Sequence, residues 1–450
     1  MRRLLVLVVV LVVSVVASGA VTPLDEYVGA ADGAYGYTLV RTDRLEGATA
    51  YVLDMTSQTW RSDKEVNRTR WRHWMVIVKP DTVSHGTALL HINGGSNEEP
   101  APKGVHPSLV EMAVDTRSVV AEIRMVPNQP LVFAGESRKR YEDAIIAYTF
   151  DKYVQGGDDT WPLLLPMVKS VVRGMDTVHH YVGRACPEAP AVDKFVLCGA
   201  SKRGWTTWLT AAVDRRVVGI VPLVIDVLNM DDQMRHHRAA YGFYSTAIKD
   251  YEDMDIFSRL DTPRGLALQG FIDPYNYRQR YTMPKFVINS AGDQFFCSDS
   301  AQFYYGDLMG EKLLRYMPNT DHGLGGEVYG AVHLYYKSIL EGYSRPQFSW
   351  RVEDGRMVVT KMGQAPEKVL LWRADNEKAR DFRMAVIGKV WQSTPLEMQG
   401  DGTWAAELAS PEKGFSAYFV ELTYKSPMDT PWVLSTEIVV RPGVLPFAEK

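Results

Sequence analysis

Short apolar runs, each about as long as one buried strand, recur along the first three quarters of the chain. Residues 87–92, 118–123, 194–198, 217–224, 285–289 and 312–316 have the continuous apolar character of parallel strands covered on both faces. Between several of them, at 142–154 and 167–182, apolar residues return at intervals of three and four and predict helices; further helices are expected at 204–213 and 328–340. Upstream, 50–55 and 73–78 read as extended strands joined by a polar stretch containing Trp60 and Arg61. Strands alternating with helices imply the α/β class, with a mostly parallel sheet, helices on both faces and antiparallel opening strands.

The alternation breaks twice. Nearly sixty residues separate Asp226 from the strand at Lys285, and they carry Arg235, His236, His237, Tyr241, Phe243 and Tyr244. So long a connection is expected to be a mostly helical cap, at about 229–280, over a functional site. After 340 the run Gly342, Tyr343, Ser344, Arg345, Pro346 marks a boundary. Short strands at 348–352, 356–360, 369–372, 404–408, 416–423 and 436–441 then predict a β-sandwich over 344–450, behind a first domain spanning 21–343.

The N-terminus changes the expected location. Arg2 and Arg3 precede an apolar stretch from Leu4 to Val16 and the small residues Ala17, Ser18, Gly19 and Ala20, the pattern of a cleaved export signal over 1–20. The stretch is shorter than the roughly 20 apolar residues of a spanning helix. Export is therefore expected, into the medium or a Gram-negative periplasm, with no stable membrane insertion after cleavage. Removing Arg2 and Arg3 leaves 48 basic against 54 acidic residues, a net charge of −6, which argues against nucleic-acid binding. Three cysteines, Cys186, Cys198 and Cys297, cannot all pair within one chain, so disulfides do not define the fold. Asn67-Arg68-Thr69 is a glycosylation sequon where the source glycosylates exported proteins.

The chemistry lies at strand ends. Val196, Leu197 and Cys198 lead into Gly199-Ala200-Ser201-Lys202-Arg203-Gly204 and then a helix-compatible segment. This is the setting of a nucleophile elbow, where small residues let a serine occupy a sharp turn. The familiar pattern has glycine two residues after the serine, whereas here Arg203 stands there and Gly204 follows; a simple helix N-cap serine is the competing reading. Asp293 follows the strand at 285–289 and His322 follows the strand at 312–316. The order serine, acid, histidine across separate strand ends is that of an α/β-hydrolase triad. Asp321 competes as the acid, but neighbouring residues rarely orient so that one supports the other's ring, and Asp293 is preferred. Gly94-Gly95 after the 87–92 strand offers a backbone N–H to an oxyanion through Gly95, with the N–H of Lys202 as the second donor.

Glu122, Arg124 and Asn128 follow a strand and are candidates for substrate binding, as is Tyr241 in the cap; Arg124 paired with Glu122 as a loop brace is the alternative. Trp205 and Trp208 read as packing behind the serine. His236-His237 resembles a metal pair, but adjacent helical residues diverge and no third ligand stands at zinc-like spacing, so neither metal nor cofactor is expected.

Longer strings carry a family resemblance: TSQTWR at 56–61, RMVPNQPLVF at 124–133, DAIIAYTFDKY at 143–153, GASKRGWTTWLTAAVDRRVVGIVPLVID at 199–226 and PKFVINSAGDQFF at 284–296. With these the chain closely resembles the PhoPQ-activated pathogenicity-related proteins, a family that includes the autocrine proliferation repressors of social amoebae. The resemblance implies an α/β-hydrolase fold, export, and the triad motif at Ser201, Asp293 and His322, without a settled reaction. Two functions are expected to compete, with carbohydrate recognition by the C-terminal sandwich as a third reading. One is a serine hydrolase, esterase or peptidase, acting on a small ester or peptide; the other is a secreted signalling or binding protein with a cell-surface receptor as partner.

Overall fold

A nine-stranded sheet forms the centre of the computed structural model, which describes residues 20–448; of the expected leader only Ala20 falls within them. Helix α1 (Pro23–Gly29) precedes three antiparallel strands, β1 (Gly36–Leu45), β2 (Ala48–Thr59) and β3 (Arg70–Pro80). There follow β4 (Thr87–Ile92), α2 (Pro107–Thr116), β5 (Val120–Ile123), α3 (Asp143–Val154), α4 (Leu164–Ala185), β6 (Lys194–Ala200), α5 (Lys202–Val213) and β7 (Val217–Leu223). The cap supplies α6 (Met230–Tyr241), α7 (Lys249–Asp253) and α8 (Pro263–Ile272), and β8 (Lys285–Ser290), β9 (Lys312–Met317) and α9 (Val328–Glu341) complete the unit. The strand order is β1-β2-β3-β5-β4-β6-β7-β8-β9; β5 is antiparallel to β3, and from β5 onward every pairing is parallel. This crossed order and the helices on both faces make it an α/β-hydrolase fold.

Period-two alternation divides the central strands between two cores. Leu90 and Ile92 of β4 and Leu197 of β6 pack with α4 and α5, while Leu89, Val196 and Cys198 face α2 and α9. Each such fully buried leucine, isoleucine or valine contributes about 1.5–3 kcal/mol. Edge strand β1 has no buried residue, and for that reason its sequence carries no strand-like apolar face. Among the described residues, no helix is long and apolar enough to cross a membrane, and Cys186, Cys198 and Cys297 are free and buried.

The C-terminal strands form two antiparallel sheets. One contains β10 (Gln347–Glu353), β11 (Arg356–Met362) and β14 (Thr403–Glu407); the other contains β12 (Lys368–Asn376), β13 (Gln392–Pro395), β15 (Phe415–Tyr424), β16 (Trp432–Ser435) and β17 (Val439–Arg441). Met357, Val359 and Trp404 of the first share a core with Tyr418, Val420 and Leu422 of the second, and that core continues to α9 and Phe286 of the main sheet. β13 and β16 lie outside the strands expected from sequence, and the one expected at 436–441 shrinks to β17. Thr436 instead turns its hydroxyl onto the backbone N–H of Val420 at 3.0 Å.

Only the front half of the insertion covers the site. Helices α6 and α7 and the turn at Phe257–Arg259 lie near Ser201. The remainder doubles back along the flank, where Trp205 Nε1 donates to the Ile272 carbonyl at 2.7 Å and Arg280 pairs with Asp25 at 2.8 Å.

Candidate active site

Ser201, Asp293, His322 and the Gly94-Gly95 turn all lie beyond the C-terminal ends of parallel strands, where an open α/β sheet builds its sites. Ser201 sits at φ 57°, ψ −129° between β6 and α5, a sparsely populated conformation costing on the order of 1–3 kcal/mol. Its side chain makes no helix-capping hydrogen bond, which removes the N-cap reading. The turn is held by the Ser201 N–H on the Leu223 carbonyl, 2.8 Å, and the Trp205 N–H on the Ser201 carbonyl, 2.9 Å.

The displaced glycine has a structural reason. A Cβ on Gly204 would lie 2.7 Å from Ile225 Cγ2 and 2.9 Å from the Gly199 carbonyl oxygen, and one on Gly199 would lie 2.6 Å from the Arg203 carbonyl oxygen. The close approach of helix to strand thus falls three residues after the serine. Arg203, two after it, reaches across to the neighbouring loops, donating to both Glu142 carboxylate oxygens at 2.6 and 2.7 Å and to the Val126 carbonyl at 2.5 Å. Its guanidinium covers Gly94, where a Cβ would meet Nη2 at 2.5 Å, so the elbow and the glycine turn are packed together.

His322 Nδ1 and Asp293 Oδ2 are 2.8 Å apart, and Asp293 Oδ1 accepts the Phe295 N–H at the same distance. Asp321 Oδ1 accepts the Gly323 N–H instead, closing its own local turn. Phe295 bridges the two halves of the site: its ring centroid is 4.3 Å from that of His322, and it lines the cavity that reaches Ser201. His322 Nε2 is buried and takes no hydrogen bond, so the histidine closes on Asp293 and not on Ser201. Ala200, immediately before the serine, lines one cleft together with His322. The Gly95 N–H, at φ 127°, is not engaged by a backbone or side-chain acceptor, whereas that of Gly94 is spent on Asn93 Oδ1 at 2.8 Å.

The other candidate residues have structural work. Glu122 accepts from Asn93 Nδ2 and Arg124 Nε, both at 2.7 Å. Burial would raise its carboxyl, but the His91 ring 3.8 Å away and the Asn93 and Arg124 donors outweigh that and lower it to about 2. The loop-brace reading therefore describes Glu122 and Arg124, which line a side cleft with Gly95 and not the Ser201 cavity. Asn128 is fully buried and donates to the Arg72 carbonyl. Tyr241 is buried under Arg383 and against His237, and lines no part of the Ser201 cavity. Trp205 does line it, in addition to packing α5.

Three features had no clear signal in the sequence. Lys202 Nζ lies 3.0 Å from both Glu142 and Asp143, and Tyr251 O–H donates to Asp143 at 2.9 Å. Burial would raise Glu142, but Arg203 and Lys202 lower it to about 2. Asp226, buried after β7, accepts from Tyr304 at 2.5 Å and Tyr316 at 2.7 Å; burial raises it to about 7 against those hydrogen bonds.

The third is a clamp from the C-terminal region, built around α10 (Met384–Ile387) in the β12–β13 connection. The Met384 N–H donates to the Gly292 carbonyl at 2.9 Å. Arg380 pairs with Asp299 at 2.6 Å, and Arg383 donates to Ser245, whose hydroxyl donates to the Gln294 carbonyl. The Asn319 amide bonds both backbone groups of Trp391 at 3.0 Å. Gly292 lies where all these loops meet: a Cβ there would be 2.7 Å from the Thr320 carbonyl oxygen and 2.9 Å from Met384 Cβ. His236, Cys297 and Asp299 bring ligand atoms within 4.8 Å of one another. Arg380 already supplies the positive charge, lying 3.3 Å from His236 Nε2, and burial pushes the Cys297 thiol up, so the group is a poor fit for a metal.

Residues 24–383 match the sequence profile of the PhoPQ-activated pathogenicity-related proteins. The chain belongs to this family. A relative from Dictyostelium discoideum, autocrine proliferation repressor protein A, is 35% identical over 477 residues, covering 99% of this chain and 95% of its own. Among solved structures, acetyl xylan esterase 1 from Thermoanaerobacterium is similar at TM-score 0.46 and 16% identity, over 72% of this chain and 92% of the esterase. An acetyl xylan esterase from Paenibacillus gives 0.45 and 16%, over 70% and 91%.

Proposed function

We propose that this family member is an exported serine hydrolase that cleaves an ester or peptide bond through an acyl-enzyme. Ser201 Oγ attacks the carbonyl carbon as His322 Nε2 takes its proton, and the N–H groups of Gly95 and Lys202 receive the developing oxyanion. Collapse expels the leaving group with the proton from His322; water then repeats the sequence and frees Ser201. Asp293 orients the ring and stabilises its protonated form. The observation that carries the reading is the 2.8 Å His322–Asp293 bond together with a strained serine, all at the C-terminal strand ends of one sheet. The missing Ser201–His322 hydrogen bond is compatible with it, because such contacts often tighten only with substrate bound. Fluorophosphonate labelling tests it: wild type is labelled and Ser201→Ala is not. An unlabelled wild type, or equal labelling of the variant, rejects Ser201 as nucleophile. Export belongs to the same proposal and is checked by N-terminal sequencing, with a mature protein starting at Val21.

The name of the Dictyostelium relative favours a second reading, a secreted signal that binds a cell-surface receptor on a hydrolase scaffold. Ser201→Ala separates the two, since a binding protein keeps its biological activity at unchanged secretion and thermal stability.

A further inference from the structure

We propose, resting on the Ser201 reading above, that the cavity beside Ser201 is the acyl pocket and takes a short, uncharged, apolar acyl group. Its position assigns it to the acyl side. His322 must hand its proton to the leaving group, which therefore lies in the cleft that His322 lines with Ala200, Asn93 and Tyr329. The cavity in question is lined by Ser201 and Lys202 and not by His322, so it holds the part of the substrate that stays on the serine.

Its walls set the chemistry. Met230 and Met234 of α6, Ile256 and Phe257 of the cap, Trp205 of α5 and Phe295 of the acid loop present carbon, sulfur and ring surface. The charged groups in its lining satisfy one another: Lys202 lies between Glu142 and Asp143, and the other Asp143 oxygen accepts from Tyr251. An acyl group bearing an ammonium or a carboxylate would be desolvated there without a free partner. Size follows from the cavity volume of about 50 Å³. An engineered cavity of about 150 Å³ holds benzene, so this one accommodates about two to three carbon atoms beyond the carbonyl. The leaving-group cleft has no comparable enclosure by the cap, so selectivity falls on the acyl side.

The test is the kcat/KM profile over p-nitrophenyl acetate, butyrate, octanoate, hemisuccinate and alaninate. Butyrate is expected to be best, with octanoate and both charged esters lower by about tenfold or more. Phe257→Ala and, independently, Met234→Ala are expected to move the optimum toward octanoate by about tenfold relative to butyrate. A flat profile, a wild-type preference for octanoate or a charged ester, or profiles unchanged in both variants overturns the pocket assignment. Labelling of Ser201 by diisopropyl fluorophosphate is read in parallel. Labelling with a flat profile removes the pocket and leaves the nucleophile standing, whereas absent labelling withdraws the nucleophile and the pocket with it.

Discussion

The corner that presents Ser201 is built on close backbone approach: Gly199 and Gly204 allow helix and strand to touch, the adjacent strand supplies the Leu223 carbonyl, and Arg203 ties the turn back to Glu142 and Val126. The Asp293–His322 pair is held differently. Its loops are gripped by Arg380, Met384 and Trp391, and the pairs Arg380–Asp299 and Asn319–Trp391 span 81 and 72 positions. Both corners end at strand tips of one sheet, yet one is secured by close backbone packing and by polar contacts to earlier segments of the chain, the other by polar contacts from the C-terminal region. Neither tolerates an added carbon at its glycines, but the second also depends on keeping a distant segment docked.

Removing the acid itself should have the largest effect. Asp293→Asn is expected to slow fluorophosphonate inactivation by about 10³ to 10⁴-fold, and Asp321→Asn to leave the rate nearly unchanged. Equal effects of the two would dissolve the distinction between the partnered and the turn-forming aspartate. Next is the remote grip. Arg380→Met strands Asp299 and His236 without the guanidinium, at a cost of about 3–5 kcal/mol in denaturant unfolding. At conditions where the variant remains folded, inactivation is expected to slow by about ten- to a hundredfold, since a small displacement of a catalytic loop costs that much. A stability loss with an unchanged rate would show that the clamp holds the fold and not the pair.

The smallest effect concerns Asp226, beneath the same loops, which burial raises to about 7. A carboxyl raised in the folded state holds its proton more tightly there. Its stabilising contribution is therefore complete below about pH 4 and is lost as the pH climbs to about 7. In Asp226→Asn that loss is absent, so Tm of the variant minus that of wild type should rise by about several degrees between pH 5 and pH 8. Parallel Tm curves would refute the charge-state argument.

What could be read in the sequence follows the same division. Strands β4, β6, β8 and β9 announce themselves because they are buried on both faces, and the residues at their tips follow from position. Strand β1 gives no such signal because both its faces stay partly exposed. Short α2, entered through Pro107 after a polar loop, was likewise not expected. The clamp reads as an ordinary charged connection: Arg380 and Arg383 acquire their importance only by meeting Asp299 and Ser245 from elsewhere in the chain. Glu122, Arg124 and Asn128 show the converse, polar residues in the right loop whose hydrogen-bonding capacity is largely consumed in bracing it.

The placement of the clamp also sets an order of maturation. A chain leaving the ribosome carries Ser201, Asp293 and His322 before it carries Met384 and Trp391, and domains generally fold from the N-terminus as they emerge. The Ser201 turn can form early from residues already present, but the loops bearing His322 and Asp293 wait for the last quarter of the protein. On the proposed mechanism, a nascent or truncated molecule would then possess Ser201 without an aligned His322, and hydrolysis would begin only near the end of synthesis.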